Sequence, residues 1–167
     1  MSLEDLHLNL RNLTSDDYEQ LKSLMDAVYH DIGGAWPKHT IDKLIQEFPD
    51  GQIAIEDDGV LVGVALTVQV DYDEFSNPHK YDDLIGHREI ILNDPEGDAM
   101  YGLDVLIHPD YRGYRLGRRL YEARKELCRS LNLRAISAGG RIPEYHQHAS
   151  DLTPAQYIDK VSRKEIY

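Results

Sequence analysis

Apolar and polar residues alternate in Leu6-His7-Leu8-Asn9-Leu10-Arg11, which predicts a first strand with one face turned inward. Thr14-Ser15-Asp16-Asp17 then offers an N-cap and early acidic charge for a helix. Tyr18, Leu21, Leu24, Met25 and Val28 recur on one helical face, so that helix is predicted to run through Tyr29. Gly33-Gly34 and Pro37 interrupt it, and Thr40 to Phe48 reads as a second, short helix. Asp57-Asp58-Gly59 is a hairpin signal between the apolar runs Gln52–Glu56 and Val60–Val70, which predicts two adjacent antiparallel strands.

Residues 71–99 are polar, with one apolar patch at Ile90-Ile91-Leu92; a connection that long is functional or mobile. Its Tyr72, Phe75 and Tyr81, beside Asp71, Asp73 and Glu74, either line a pocket or pin the connection down. Tyr101 to Ile107 is the next strand, followed by a helix from Leu116 to Leu131. That helix is predicted to bury Leu116, Leu120, Ala123, Leu127 and Leu131, with Cys128 beside them as a core thiol. Leu133 to Ala138 is a fifth strand ended by Gly139-Gly140, a short helical piece covers Pro143–Ala149, and Thr153-Pro154 opens a last helix.

A chain of 167 residues suits one domain with a real core, over residues 1–167. No apolar run reaches the length of a membrane span, and Met1-Ser2-Leu3-Glu4-Asp5 has no signal-peptide character, so a cytoplasmic location is expected. One cysteine leaves no internal disulfide and no cysteine-based zinc site. His146 and His148 have a spacing that metals use but lack a third ligand nearby, so no metal is expected.

Net charge changes the picture because it is uneven. The total is -12, yet Tyr111 to Arg134 holds eight Lys or Arg against two Glu, leaving ten basic and twenty-eight acidic residues elsewhere. An acidic body disfavours nucleic acid and anionic membranes and would attract a cationic substrate. Within the basic island, Arg124, Lys125 and Arg129 fit a solvated helix face equally well. Arg112 to Arg118 differ, because glycines accompany them. The order of strand, glycine turn and helix N-terminus leaves free N–H groups at the positive end of the macrodipole. Gly113 and Gly117 permit close backbone approach there, which makes an anion site suited to a phosphate-bearing cofactor.

The order of elements and this loop together resemble the GNAT superfamily of acyl-CoA-dependent N-acetyltransferases. The signature stands here as Arg112-Gly113-Tyr114-Arg115-Leu116-Gly117, preceded by His108-Pro109-Asp110-Tyr111; Arg115 occupies a position where the family usually carries Gly. A narrower resemblance, to the GNAT-like domain that precedes a carbon–nitrogen hydrolase domain in some bacterial proteins, rests on Arg118 to Cys128 and Gly139 to Tyr145. The resemblance implies an α/β (α+β) fold: a mixed, mostly antiparallel central sheet flanked by helices. It leaves out the family's C-terminal strand pair, since Asp151 to Tyr167 shows no strand pattern. It also implies that the chain is a fragment of a longer one.

The resemblance further implies acetyl-CoA as cosubstrate and no metal. Val105, Leu106 and Ile107 would pair with the pantetheine arm, Ile107 foremost. Arg112, Gly113, Tyr114, Arg115, Leu116, Gly117 and Arg118 would hold the diphosphate, mainly through backbone N–H groups. Transfer to an amine requires a polarised thioester carbonyl, loss of a proton from the amine, and an acid for the departing thiolate. Asp104 is the implied base, with His108 as the alternative, and Tyr145 is the implied acid. The acceptor is a small-molecule or peptidic amine, and a homodimer or covalent fusion to another domain is the expected assembly. Two functions stay open: an N-acetyltransferase, and a GNAT-fold module that binds acyl-CoA without turnover.

Overall fold

The computed structural model describes residues 5–29, 34–77 and 93–166. Tyr81 and Ile90-Ile91-Leu92 lie outside the described residues. The strands are β1 (Leu8–Asn12), β2 (Ile53–Asp57), β3 (Val60–Val70), β4 (Ala99–Ile107) and β5 (Ala135–Ala138). The helices are α1 (Tyr18–Tyr29), α2 (Lys38–Glu47), α3 (Tyr72–Phe75), α4 (Leu116–Ser130) and α5 (Pro154–Ser162). The strands form one sheet in the order β1-β2-β3-β4-β5, antiparallel except for the parallel β4–β5 pair. This is the mixed, helix-flanked sheet expected, and no strand follows β5 among the described residues.

The β2–β3 hairpin turns on Asp58 and Gly59, both at positive φ (46° and 84°), the backbone that an Asp-Gly pair accommodates best. Thr153 caps α5 by accepting from the Gln156 N–H, and the Gln156 side chain accepts from the Thr153 N–H in return, completing a capping box. The long connection begins with the same kind of local chemistry: Asp71 accepts from the N–H groups of Asp73 and Glu74 and starts α3.

Helices cover both faces of the sheet, which is why β3 reads as an almost unbroken apolar run. On one face Leu21, Leu24 and Met25 of α1 and Ile41 and Leu44 of α2 pack on Leu66, Val68, Leu103 and Leu106. On the other, Leu116 and Leu120 of α4 pack on Ile53, Ile55, Val62 and Ala65. Near the end of α4, Cys128 is buried with Phe48 and Met100. Its thiol donates to the carbonyls of Leu133 and Ala135, and burial pushes its pKa up, so it acts as the core thiol expected.

The buried stripe of α4 departs from the predicted one. It consists of Leu116, Leu120, Arg124 and Cys128, a strict four-residue spacing, while Leu131 lies past the helix and is exposed. Arg124, read as a possible solvated position, is 2% exposed. Its surroundings belong to the site described below.

An ion-pair network closes the far edge of the sheet. Arg11 donates to both carboxylate oxygens of Asp17 at 2.8 Å and to Glu56 at 2.6 Å. The guanidinium holds the Asp17 carboxyl below the usual carboxylate range, helped by the N–H and hydroxyl of Thr14, while desolvation opposes the shift. A carboxyl depressed in the folded state adds stability above its unfolded pKa, about 3.9, and loses it as pH falls through the folded value. Asp17→Asn is therefore expected to lower the urea midpoint at pH 7. The gap from the parent should narrow below about pH 4 in parallel urea titrations.

Candidate active site

The sheet opens where β4 leaves β5. The parallel pairing runs only from Ala99–Ala135 to Gly102–Ala138, and beyond it the β5 side of Leu103 to Ile107 has no strand partner among the described residues. On its other edge β4 stays paired with β3, with one irregularity. Leu66 faces Asp104 and Thr67 faces Gly102, so Leu103 is a bulged extra residue. The bulge bends β4 away from β5 and opens a seam.

The side chains of Arg124 and Gln52 hold that bulge. Arg124 of α4 donates from Nε to Thr67 Oγ1 (2.9 Å) and from one terminal nitrogen to the carbonyls of Leu66 and Asp104 (3.1 Å each). Gln52, fully buried, bonds the N–H and C=O of Thr67 and the carbonyl of Phe48. A Cβ on Gly102 would stand 2.6 Å from Arg124 Nη1, so the guanidinium occupies the space that this glycine leaves. Burial lowers the Arg124 pKa, while Tyr121 and Asp104 oppose the shift.

A cavity of about 590 Å³ passes through the seam. Val28, Tyr29 and Trp36 line it on the α1–α2 face, Tyr121 and Arg124 on the α4 face, with Gly102–Val105 and Ala138–Arg141 as its two walls. Asp104 stands in the middle. Its Oδ1 accepts a hydrogen bond from the Tyr29 hydroxyl and another from the Val105 N–H at 3.0 Å. The guanidinium of Arg141 lies 5.3 Å from the centre of the Tyr29 ring. Among the described residues the charged lining is one carboxylate and two guanidiniums, so the cationic substrate expected from the acidic body of the chain meets no excess of acid here. A second, more open cavity of about 450 Å³ adjoins at Ala138 and Gly139 and includes Phe75 and Tyr101. Tyr72 and Asp73 pin the connection instead, through Arg134, whose guanidinium stacks over the Tyr72 ring and pairs with Asp73.

From the seam, β4 carries the chain to the loop at Arg112–Arg118. Val105, Leu106 and Ile107 pair on one edge with Ala65, Val64 and Gly63 and present the other edge to the opening. His108 shapes the turn: its Nδ1 accepts from the Asp110 N–H, and its ring meets that of Tyr111 edge-on. That structural duty, and its absence from the cavity lining, set it apart from Asp104 as a base.

Gly113 adopts φ 88°, and Arg115 takes the left-handed conformation (φ 59°, ψ 26°) as N-cap of α4. That conformation suits glycine best and costs another residue about 1 kcal/mol. Arg115 therefore reproduces the backbone that a glycine would give, and it turns its side chain to solvent. The N-terminus of α4 has no side-chain cap and no acidic residue in its first turn, so the N–H groups of Leu116, Gly117 and Arg118 are left for an anion. A Cβ on Gly117 would meet nothing within 4 Å, so none of the described residues demands glycine there. Space kept open over a helix N-terminus, ringed by the exposed Arg112, Arg115, Arg118 and Arg119, fits a diphosphate.

Tyr145 is elsewhere. Its hydroxyl donates to the Leu152 carbonyl at 2.8 Å and its ring packs edge-on against Tyr157 of α5. It is not part of the cavity lining. Phenylalanine at this position is expected to cost about 1 kcal/mol in urea unfolding, one neutral hydrogen bond, and to leave any turnover unchanged. His148 stacks on the Tyr157 ring, and His146 is exposed. Among the described residues, the group with metal-ligand proximity is His7, Asp57 and Asp58, at the surface of the β2–β3 turn. No described helix is long and apolar enough to cross a membrane.

Comparison with known proteins places these features in context. Residues 10–149 match the Acetyltransferase (GNAT) family. The chain is 35% identical over 158 residues to Probable hydrolase YhcX of Bacillus subtilis (strain 168), covering 95% of this chain and 31% of that protein. It is 27% identical over 157 residues to Uncharacterized N-acetyltransferase YkwB of the same organism, covering 92% of this chain and 70% of YkwB. The chain thus spans under a third of the first relative's length. Among solved structures, the GphF GNAT-like decarboxylase in complex with isobutyryl-CoA matches with a TM-score of 0.77 at 19% identity, over 90% of this chain and 75% of that one. At that identity the likeness is one of fold.

Proposed function

The chain belongs to the acetyltransferase (GNAT) family, and from that premise we propose that it transfers the acetyl group of acetyl-CoA to an amine. The observation that carries this reading is the open edge of β4. It joins an uncapped helix N-terminus at one end to a cavity through the sheet at the other. The diphosphate rests on the N–H groups from Gly113 to Arg118, with Arg112 and Arg115 adding charge. The pantetheine arm pairs as an extra strand with Val105, Leu106 and Ile107, which brings the thioester to the seam. The complex of a same-fold protein with isobutyryl-CoA supports an acyl-CoA as the ligand.

The amine nitrogen reaches the seam from the α1–α2 side and attacks the thioester carbonyl carbon. Asp104 takes the proton that the ammonium must lose, and Tyr29 holds the carboxylate in place. The C–S bond then breaks and the thiolate is protonated. Tyr121, at the α4 side of the cavity, is better placed for that proton than Tyr145. The 31% coverage of a protein called a probable hydrolase supports the reading that this is one module beside a hydrolase domain, and YkwB's name supports an amine acceptor.

Calorimetry with acetyl-CoA, followed by free-thiol release over an amine panel, tests the proposal. Micromolar binding that is lost in Gly117→Glu, which sets a carboxylate and bulk over the helix N-terminus, is the expected result. Wild-type protein that ignores near-millimolar acetyl-CoA overturns it. Binding without release on any amine points to the acyl-CoA-binding module instead.

A further inference from the structure

Among the described residues, nine of the sixteen Lys and Arg side chains are paired. Arg11, Lys22, Lys38, Lys43, Lys125, Arg129, Arg134, Lys160 and Arg163 each lie within 4.0 Å of a carboxylate. Among the described residues, the basic side chains outside such pairs are the four arginines of the diphosphate loop, Lys164 near the C-terminus, Arg124 and Arg141. The last two line the same cavity. The loop arginines have a role in the reading above, whereas Arg124 and Arg141 exceed what an uncharged acetyl group requires.

Arg124 is an unusual resident for an interior. Its Nε and one terminal nitrogen are bonded to Thr67, Leu66 and Asp104, and the other terminal nitrogen, Nη1, lies over Gly102 at the seam. No partner for Nη1 is found among the described residues, although the side chain is 2% exposed. The side chain lines the cavity wall, so a guanidinium donor not engaged by the main chain stands available to an acceptor on a ligand there. Arg141 faces the same space from the β5 side, resting over the Tyr29 ring. Asp104 is already engaged by Tyr29 and Val105. The described lining thus carries a net positive charge inside a chain of formal charge -12.

We propose that the molecule occupying this cavity carries a carboxylate, held between Arg124 Nη1 and the guanidinium of Arg141. A planar carboxylate matches the guanidinium fork and would supply the acceptor that Nη1 lacks. The inference rests on the reading that the CoA thioester lies along β4. The carboxylate has two sources: an acceptor of amino-acid type, with its amine toward Asp104, or an acyl chain ending in an acid.

Calorimetric titrations of the wild type and Arg141→Gln, a substitution at an exposed side chain, separate the cases. In one arm, CoA-saturated protein is titrated with glycine, β-alanine and γ-aminobutyrate, each beside its amide. In the other, the free protein is titrated with malonyl-CoA and succinyl-CoA beside acetyl-CoA and butyryl-CoA. One arm is expected to favour the carboxylate form about tenfold, the scale of one charge-assisted hydrogen bond, and Arg141→Gln should erase the preference. The arm that responds identifies the source. The proposal is overturned if neither arm shows a preference, or if the preference survives in Arg141→Gln. CoA binding with no carboxylate preference removes this inference only, whereas absence of CoA binding to the wild type removes the acetyltransfer reading beneath it.

Discussion

Asp104→Asn is expected to lower kcat by about a hundredfold or more on any amine that the panel identifies, the range of a lost general base. Asparagine keeps the shape of the side chain and an oxygen that can accept from the Tyr29 hydroxyl and the Val105 N–H, so the seam should stay in place. Only the capacity to take a proton is removed. Affinity for acetyl-CoA should not change, because in the proposed binding mode the cofactor's contacts fall on the Val105–Ile107 edge and the Arg112–Arg118 loop. Stopped-flow or thiol-release kinetics beside calorimetry therefore separate two outcomes: an unchanged Kd with a collapsed kcat supports the base, and an unchanged kcat removes Asp104 from the mechanism. Tyr29→Phe supplies the companion measurement. It leaves the carboxylate but removes its positioning donor, so a smaller loss of kcat is expected, with the acetyl-CoA Kd again constant.

The chain made some of this legible and hid the rest for physical reasons. The Asp57-Asp58-Gly59 hairpin, the amphipathic helices and the Arg112–Gly117 loop were readable because each is a local solution. Turn chemistry, face periodicity and helix-end N–H groups are set within a few residues of sequence. Asp104 was reached as a candidate base only through the family resemblance. Tyr29 was not, because its pairing with Asp104 joins residues 75 positions apart. Tyr145 misled because a tyrosine near the right sequence position packs on α5 instead, where the Leu152 carbonyl takes its hydroxyl. The charge of the cavity was hidden in the same way. A formal charge of -12 describes the surface, while the lining depends on two arginines that topology carries to the seam. For Arg124 one signal existed. It falls in the Leu116-Leu120-Arg124-Cys128 series at strict four-residue spacing, and an arginine in a buried series requires main-chain acceptors.

Those acceptors sit at the bulge between β3 and β4, which leads to the largest stability effect expected in this protein. Arg124→Met should cost about 3–5 kcal/mol in urea unfolding, the scale for breaking a buried charged network. The methionine fills much of the volume but leaves Thr67 Oγ1 and the carbonyls of Leu66 and Asp104 without their donor. Gly102→Ala should destabilise independently by about 1–3 kcal/mol, since its Cβ would stand 2.6 Å from Arg124 Nη1 and force the guanidinium off its carbonyls. The two losses are expected not to add. Once Arg124 is methionine, the crowding at Gly102 is relieved, and the double variant should approach the Arg124→Met value alone. Strict additivity in that cycle would mean that the guanidinium and the glycine do not share the seam. Coupling would tie one buried arginine to the opening of β4 from β5, the same opening into which the proposed reading brings the acyl group.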